Sequence, residues 1–148
     1  MKNSRIFLAL LLTLAFTASA FAGGEGWSDD YAKALAQAKA EKKLVLVDFT
    51  GSDWCGWCIK MNDEVFSKPA FKDYAAKNLV LVELDYPHKK QLSDEVKAQN
   101  DKLKQQFDVH GFPTLLVVDG DGKEVSKMVG YQKGGPEEFT KKLEALKK

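Results

Sequence analysis

Apolar residues fall into short blocks, and the spacing within and between those blocks predicts alternating strands and helices. Ser28 or Asp29 caps a first helix that carries Tyr31, Leu35 and Ala38 on its inner side and runs to about Lys42. Leu44 to Phe49 is a short, valine-bearing apolar run, the pattern of a strand covered on both faces. Ile59, Met61, Val65 and Phe66 form a helical face that stops before Pro69, and residues 70–77 make another short helix. Leu79 to Leu84 repeats the buried-strand pattern. Ser93, followed by Asp94 and Glu95, opens a polar helix to Phe107 with Val96, Leu103 and Phe107 inward. Thr114 to Val118 and Glu124 to Val129 flank the turn Asp119-Gly120-Asp121-Gly122 and read as an antiparallel hairpin. The last helix starts in Gly134-Gly135-Pro136, with Pro136 at its first position and Phe139, Leu143 and Leu146 as its buried stripe. The expected class is α/β: a central sheet of mixed direction with helices on both faces.

The first 22 residues break this alternation. Lys2 and Arg5 precede the uncharged, Leu- and Ala-rich stretch Ile6 to Ala22, which ends in small-x-small triplets. That is the layout of a cleaved export signal, with cleavage expected after Ala22 and an uncleaved anchor as the alternative. The working protein is then a single domain over residues 23–148, periplasmic or secreted, and a monomer is expected. Of 22 basic and 21 acidic residues, cleavage removes two basic ones. The near-neutral surface that remains offers no electrostatic reason to bind nucleic acid.

The chain has two cysteines, Cys55 and Cys58, directly after the first apolar strand. A Cys-x-x-Cys that opens a helix sets the first sulfur where helix N–H groups favour the thiolate, the attacking species in disulfide exchange. With no third cysteine, the pair closes on itself or on another molecule. A structural bridge, half of a metal site and two small buried side chains are the competing readings. Cys55 is expected to be the more exposed sulfur and Cys58 the covered one. His88 and His110, 22 residues apart, do not have the spacing of a Cys2His2 zinc site.

Val47-Asp48-Phe49, Trp54-Cys55-Gly56-Trp57-Cys58, Gly111-Phe112-Pro113-Thr114 and Gly130 before the last helix together resemble the thioredoxin superfamily. Ser52-Asp53-Trp54-Cys55 and Val65-Phe66-Ser67-Lys68-Pro69 look most like exported thioredoxin-like proteins and the C-terminal periplasmic domain of the transmembrane disulfide reductant carrier. The resemblance implies that Cys55 is the nucleophile, Cys58 the resolving thiol and Asp48 a buried carboxylate that exchanges a proton with Cys58. An ordinary exposed strand-end acid is the alternative for Asp48. It implies further that Pro113 follows a cis bond, that the Phe112 side of that bond pairs with an extended substrate segment, and that Trp54, Gly56 and Trp57 form the rim around the couple.

Three features depart from thioredoxin. The stretch from Asp48 to Cys55 is one residue longer, Gly56-Trp57 replaces Gly-Pro, and the second apolar strand lacks a lysine near the buried acid. No histidine stands between the cysteines, which speaks against a strong oxidant. The expected activity is thiol:disulfide exchange with protein disulfides or dithiols, in the reducing direction, fed by a membrane or soluble thiol donor and needing no cofactor or metal. A Cu(I)-binding metallochaperone on the same fold is the rival, with Met61 as the nearest additional soft ligand.

Overall fold

The computed structural model describes residues 25–147, so the expected export signal lies outside the described residues. Five strands are found there: Trp27–Ser28 (β1), Leu44–Thr50 (β2), Leu79–Asp85 (β3), Thr114–Val118 (β4) and Glu124–Val129 (β5). They form a sheet in the order β1-β3-β2-β4-β5. β2 lies parallel to β3 and antiparallel to β4, and β4 and β5 form the expected hairpin. The helices are Tyr31–Glu41 (α1), Gly56–Met61 (α2), Pro69–Asn78 (α3), Asp94–Gln106 (α4) and Gly135–Glu144 (α5).

Side chains on a strand alternate between faces, and β2 shows what that does here. Val45, Val47 and Phe49 point to one face, where Val80, Val82, Leu116 and Val118 join them under α1 and α4. Leu46 points to the other, with Leu81, Leu115 and Val117 beneath α2, α3 and α5. That second layer holds an aromatic cluster: Phe66, Phe71 and Phe139 have ring centroids 5.1 to 6.0 Å apart. Each fully buried Phe contributes about 1.5–3 kcal/mol of transfer free energy. The same alternation sends Asp48 to the α2 face.

Several local expectations change. The first helix is capped by Asp30, whose carboxylate accepts the Lys33 N–H at 2.9 Å. Ser28 instead belongs to β1, a two-residue strand paired in parallel with Leu81 and Val82 and too short for periodicity to register. The helix after the cysteines widens into a π turn at Asn62–Phe66; Met61, Val65 and Phe66 are buried, while Ile59, two residues before Met61 and so on the other side of α2, is 41% exposed. In α4, Val96 is only half-buried and Asn100 takes the inner place. Its Nδ2 donates to the Asp85 carbonyl at 3.0 Å, and its own carbonyl accepts the Tyr86 hydroxyl at 2.6 Å. Pro136 occupies the second position of α5, because Gly135 is the first.

Candidate active site

The strand β2 ends at Thr50 and the six-residue α2 begins at Gly56, so the five-residue loop between them sets the cysteine pair after the carboxyl end of β2. Cys55 is the N-cap of α2, and the Cys58 N–H donates to Cys55 Sγ at 3.2 Å. A backbone N–H aimed at that sulfur stabilises it as a thiolate once the pair is reduced. The two cysteines form a disulfide with Cα atoms 5.2 Å apart. Both are more covered than expected: Cys55 is 7% exposed and Cys58 4%, so the predicted order holds by a narrow margin.

Beneath Cys58 a cleft of about 340 Å³ is lined by Asp48, Thr50, Ser52, Asn62 and Glu83. Asp48 is 6% exposed and its Oδ1 is buried without a hydrogen-bond partner, which removes the alternative of an exposed strand-end acid. Burial holds the Asp48 carboxyl well above the usual carboxylate range, and the charges of Glu83 and Asp85 push it further in the same direction. Glu83 is its direct partner across the parallel β2/β3 ladder and is raised as well, first by desolvation and then by Asp85. Asp85 itself is tied down, accepting from Ser52 N at 2.9 Å and Ser52 Oγ at 2.6 Å.

Trp54 and Trp57 flank the disulfide and are 42% and 58% exposed. Trp54 Nε1 donates to the Tyr86 carbonyl at 2.8 Å, its ring stacks on His88 at 4.5 Å, and Phe112 meets it edge-on at 5.9 Å. On the other side Trp57 leans on Tyr131 at 5.8 Å, and Lys60 Nζ lies over both rings. Tyr131 donates to Glu64, which also pairs with Lys60. Gly56 is exposed at the helix start. The Phe112-Pro113 bond is cis, as expected, and Pro113 is buried just before β4.

Three residues of this neighbourhood were given no role by the sequence pattern. Gly51 lies under Trp54, where a Cβ would come within 2.5 Å of the indole ring. Asp53 accepts the backbone N–H groups of His88, Lys89 and Lys90 at 2.7 to 3.1 Å, which anchors the loop after β3 to the cysteine loop. Those bonds, His88 first, hold its carboxyl below the usual range. Glu83 is the third, an acid inside an otherwise apolar strand that reads as a mere interruption. A metal centre finds no support. Met61 is fully buried in the core, and the described residues contain no group of three His, Cys, Asp or Glu placed to hold an ion.

Residues 31–147 match the family model of the thioredoxin-like domain. The disulfide bond reductase DsbH of Chlamydia pneumoniae is 39% identical over 120 residues, which cover 81% of this chain and 72% of that protein. A solved structure of a DsbH oxidoreductase superposes with a TM-score of 0.77 at 36% identity, covering 93% of this chain and 91% of that one. The thiol:disulfide interchange protein DsbD of Pseudoalteromonas atlantica is 35% identical over 98 residues, 66% of this chain but 15% of that much longer protein. With the mixed sheet, the disulfide at the start of α2 and the cis bond ahead of β4 already in hand, these likenesses leave one conclusion: the chain belongs to the thioredoxin superfamily, among its thiol:disulfide oxidoreductases.

Proposed function

We propose that this protein is exported and reduces protein disulfides in the periplasm or outside the cell, acting as a monomer. The observation that carries this reading is the Cys55-Cys58 couple at a helix start, with Cys58 lining the same cleft as the buried, unpartnered carboxyl of Asp48. In the reduced protein the Cys55 thiolate attacks a substrate disulfide and forms a mixed disulfide while one substrate thiolate leaves. Cys58 then loses its proton to Asp48 and attacks Cys55 Sγ. The bond between Cys55 and the substrate breaks, the second substrate sulfur leaves as a thiolate, and Cys55-Cys58 closes. A membrane or soluble dithiol donor restores the reduced pair. The extended substrate segment pairs with the backbone beside Phe112 and Pro113, with Trp54, Gly56 and Trp57 as the rim it crosses.

The reducing direction is supported by the absence of histidine between the cysteines and by the reductase named among the relatives. The test is insulin reduction with dithiothreitol as donor, alongside equilibration of the couple with glutathione. Turnover with a potential near that of thioredoxin, about −270 mV, is the expected result. A potential near −120 mV, that of a strong oxidant, would overturn the direction while leaving the chemistry. Substitution of Cys58 by Ser should trap a mixed disulfide on Cys55, and trapping on Cys58 in the converse variant would reverse the roles.

A further inference from the structure

Asp48 Oδ1 is buried and unpartnered, and what faces it explains little of how the molecule tolerates that. On β4 its register neighbour is Leu115, which offers no compensating charge. On β3 it is Glu83, in the same cleft, with neighbouring strands about 4.8 Å apart. Asp85, two residues along β3, adds a third carboxylate engaged by Ser52. From α2 and the π turn the cleft receives Cys58 and the neutral Asn62. The cations nearby have other partners, Lys72 from α3 lying 3.8 Å from Glu25 and Lys90 4.0 Å from Asp85, though the Lys90 charge also pulls Glu83 down against its desolvation and Asp85. Asp29, near Glu83, is a further acid. Two carboxyls facing each other across one ladder step, one of them orphaned and both desolvated, do not both ionise readily. Such pairs share one proton.

We propose that Glu83 and Asp48 work as one carboxyl pair that holds a single proton under Cys58, with Glu83 the positioning residue that governs when Asp48 is free to accept the Cys58 proton. The inference rests on the exchange reaction proposed above and assigns it a second acid. Before the resolving step the pair gives its single proton to water, so that Glu83 and Asp48 both stand ionised, and the transfer from Cys58 restores that proton. The Cys58 S–H proton passes to the Asp48 carboxylate, and the sulfur's electron pair forms the bond to Cys55 Sγ. The Cys55–substrate bond breaks, and its electron pair leaves on the substrate sulfur, which takes a proton from water. The negative charge on Glu83 makes Asp48 a stronger base once ionised but delays its ionisation to higher pH. The couple is thereby tuned by a carboxylate that never touches sulfur.

The test compares the parent with Glu83→Gln and Glu83→Lys by two measurements. The first is the titration of the Asp48 side-chain carboxyl, followed by its 13C shift in the oxidised protein. The second is the pH dependence of the resolving step, followed as release of a thiol-linked reporter from a mixed disulfide on Cys55. Glu83→Gln should move both the Asp48 midpoint and the acid limb of the rate to lower pH by about one unit, a tenfold change in ionised fraction at fixed pH. Glu83→Lys should move both further in the same direction. A merely structural role would lower the rate at every pH without ordering the two variants. Asp48 midpoints that agree across all three proteins overturn the pair. Midpoints that move while the acid limb stays overturn its role in the reaction. Should the parent show no disulfide turnover at all, the exchange reading fails, and the 13C titration still decides whether the carboxyls are coupled.

Discussion

Among the described residues, two buried side-chain oxygens lack a hydrogen-bond partner, and they lie on opposite faces of the same sheet. Tyr31 Oη sits in the closed layer under α1, beside the edge of Phe107 and close to Gly122. Asp48 Oδ1 sits in the open layer, at the floor of the cleft under Cys58. Burial raises both groups, with Asp119 adding to Tyr31 and Glu83 to Asp48. The consequences diverge because their starting points differ. A phenol raised above 10 stays neutral throughout the physiological range, so its orphaned oxygen costs only about 1–3 kcal/mol and never changes charge. A carboxyl raised well above 4 is brought toward the range in which thiols titrate. Of two similar burial defects, one is inert and the other sits where it can move a proton, and position relative to the disulfide decides which.

Adjacent residues of β2 offer the sharpest break in that comparison. Phe49, fully buried in the closed layer, should cost about 3–5 kcal/mol when replaced by Ala, with a denaturation midpoint lowered to match. Its neighbour Asp48 should behave oppositely. Asp48→Asn should leave stability equal or higher near neutral pH, since a desolvated carboxyl becomes an amide of the same shape. The sign follows from linkage. The folded protein binds the Asp48 proton more tightly than the unfolded chain, so that contribution is intact below the unfolded value of about 3.9 and is lost as pH rises toward the higher folded value. Denaturant titrations of parent and variant from pH 4 to 9 should therefore diverge in favour of the variant as pH rises. Curves that run parallel would return Asp48 to an ordinary acid.

The next effect is on rate. Asp48→Asn should slow resolution of a mixed disulfide on Cys55 by about tenfold or more, the low end of what a positioned proton acceptor contributes. Stopped-flow release of a fluorescent thiol measures it, and an unchanged rate across pH 6 to 9 would refute the acid–base role. Such a result would also make the two orphaned oxygens equivalent in function.

A smaller effect is expected at Gly51. An added Cβ would meet Trp54 Cε2 at 2.5 Å, but the indole is 42% exposed and can swing outward. Gly51→Ala should therefore cost about 1 kcal/mol, the low end of overpacking, and displace Trp54 from His88 and the Tyr86 carbonyl. A shifted tryptophan emission maximum with only a few-fold loss of exchange would fit. Unaltered emission would mean that Trp54 does not depend on this platform.

What the linear pattern revealed and what it hid follow the same division. The closed layer was legible because Val45, Val47, Phe49, Val80 and Val82 announce themselves by composition and period. The face on which Asp48 lies follows from period two alone, and the cysteines and the residues before β4 carried the family likeness. Hidden were the features made by pairing across the sheet. That Glu83 faces Asp48 depends on the β2/β3 register, and that Asp53 gathers three backbone N–H groups depends on where a loop 35 residues away returns. Asn100 replaced Val96 inward because its side-chain amide donates to the Asp85 carbonyl and accepts from Gln99 Nε2, a fact of three-dimensional partners and not of polarity. Ile59 turned outward because it stands two residues, about 200° of helix rotation, from the buried Met61 within α2, so the two cannot share a face.

The smallest effect closes the comparison, at Tyr31. Removing an unpartnered hydroxyl from a buried site deletes a desolvated polar atom and leaves the ring in contact with Phe107 and the α1 core. The void is one oxygen in size, and the neighbours Leu35 and Gly122 border it from a half-buried edge. The gain from deleting the orphaned group and the loss of its packing contacts are each about 1 kcal/mol and opposite in sign. Tyr31→Phe should therefore change stability by no more than about 0.5 kcal/mol, show no pH dependence between 5 and 9, and leave disulfide exchange at the parental rate. The measurement is the same pair of denaturant and stopped-flow titrations used for Asp48→Asn. A loss of 1.5 kcal/mol or more would mean that the hydroxyl has a partner in solution. A change in exchange rate would mean that the closed face communicates with the couple through β2, and the functional contrast between the two faces of the sheet would collapse.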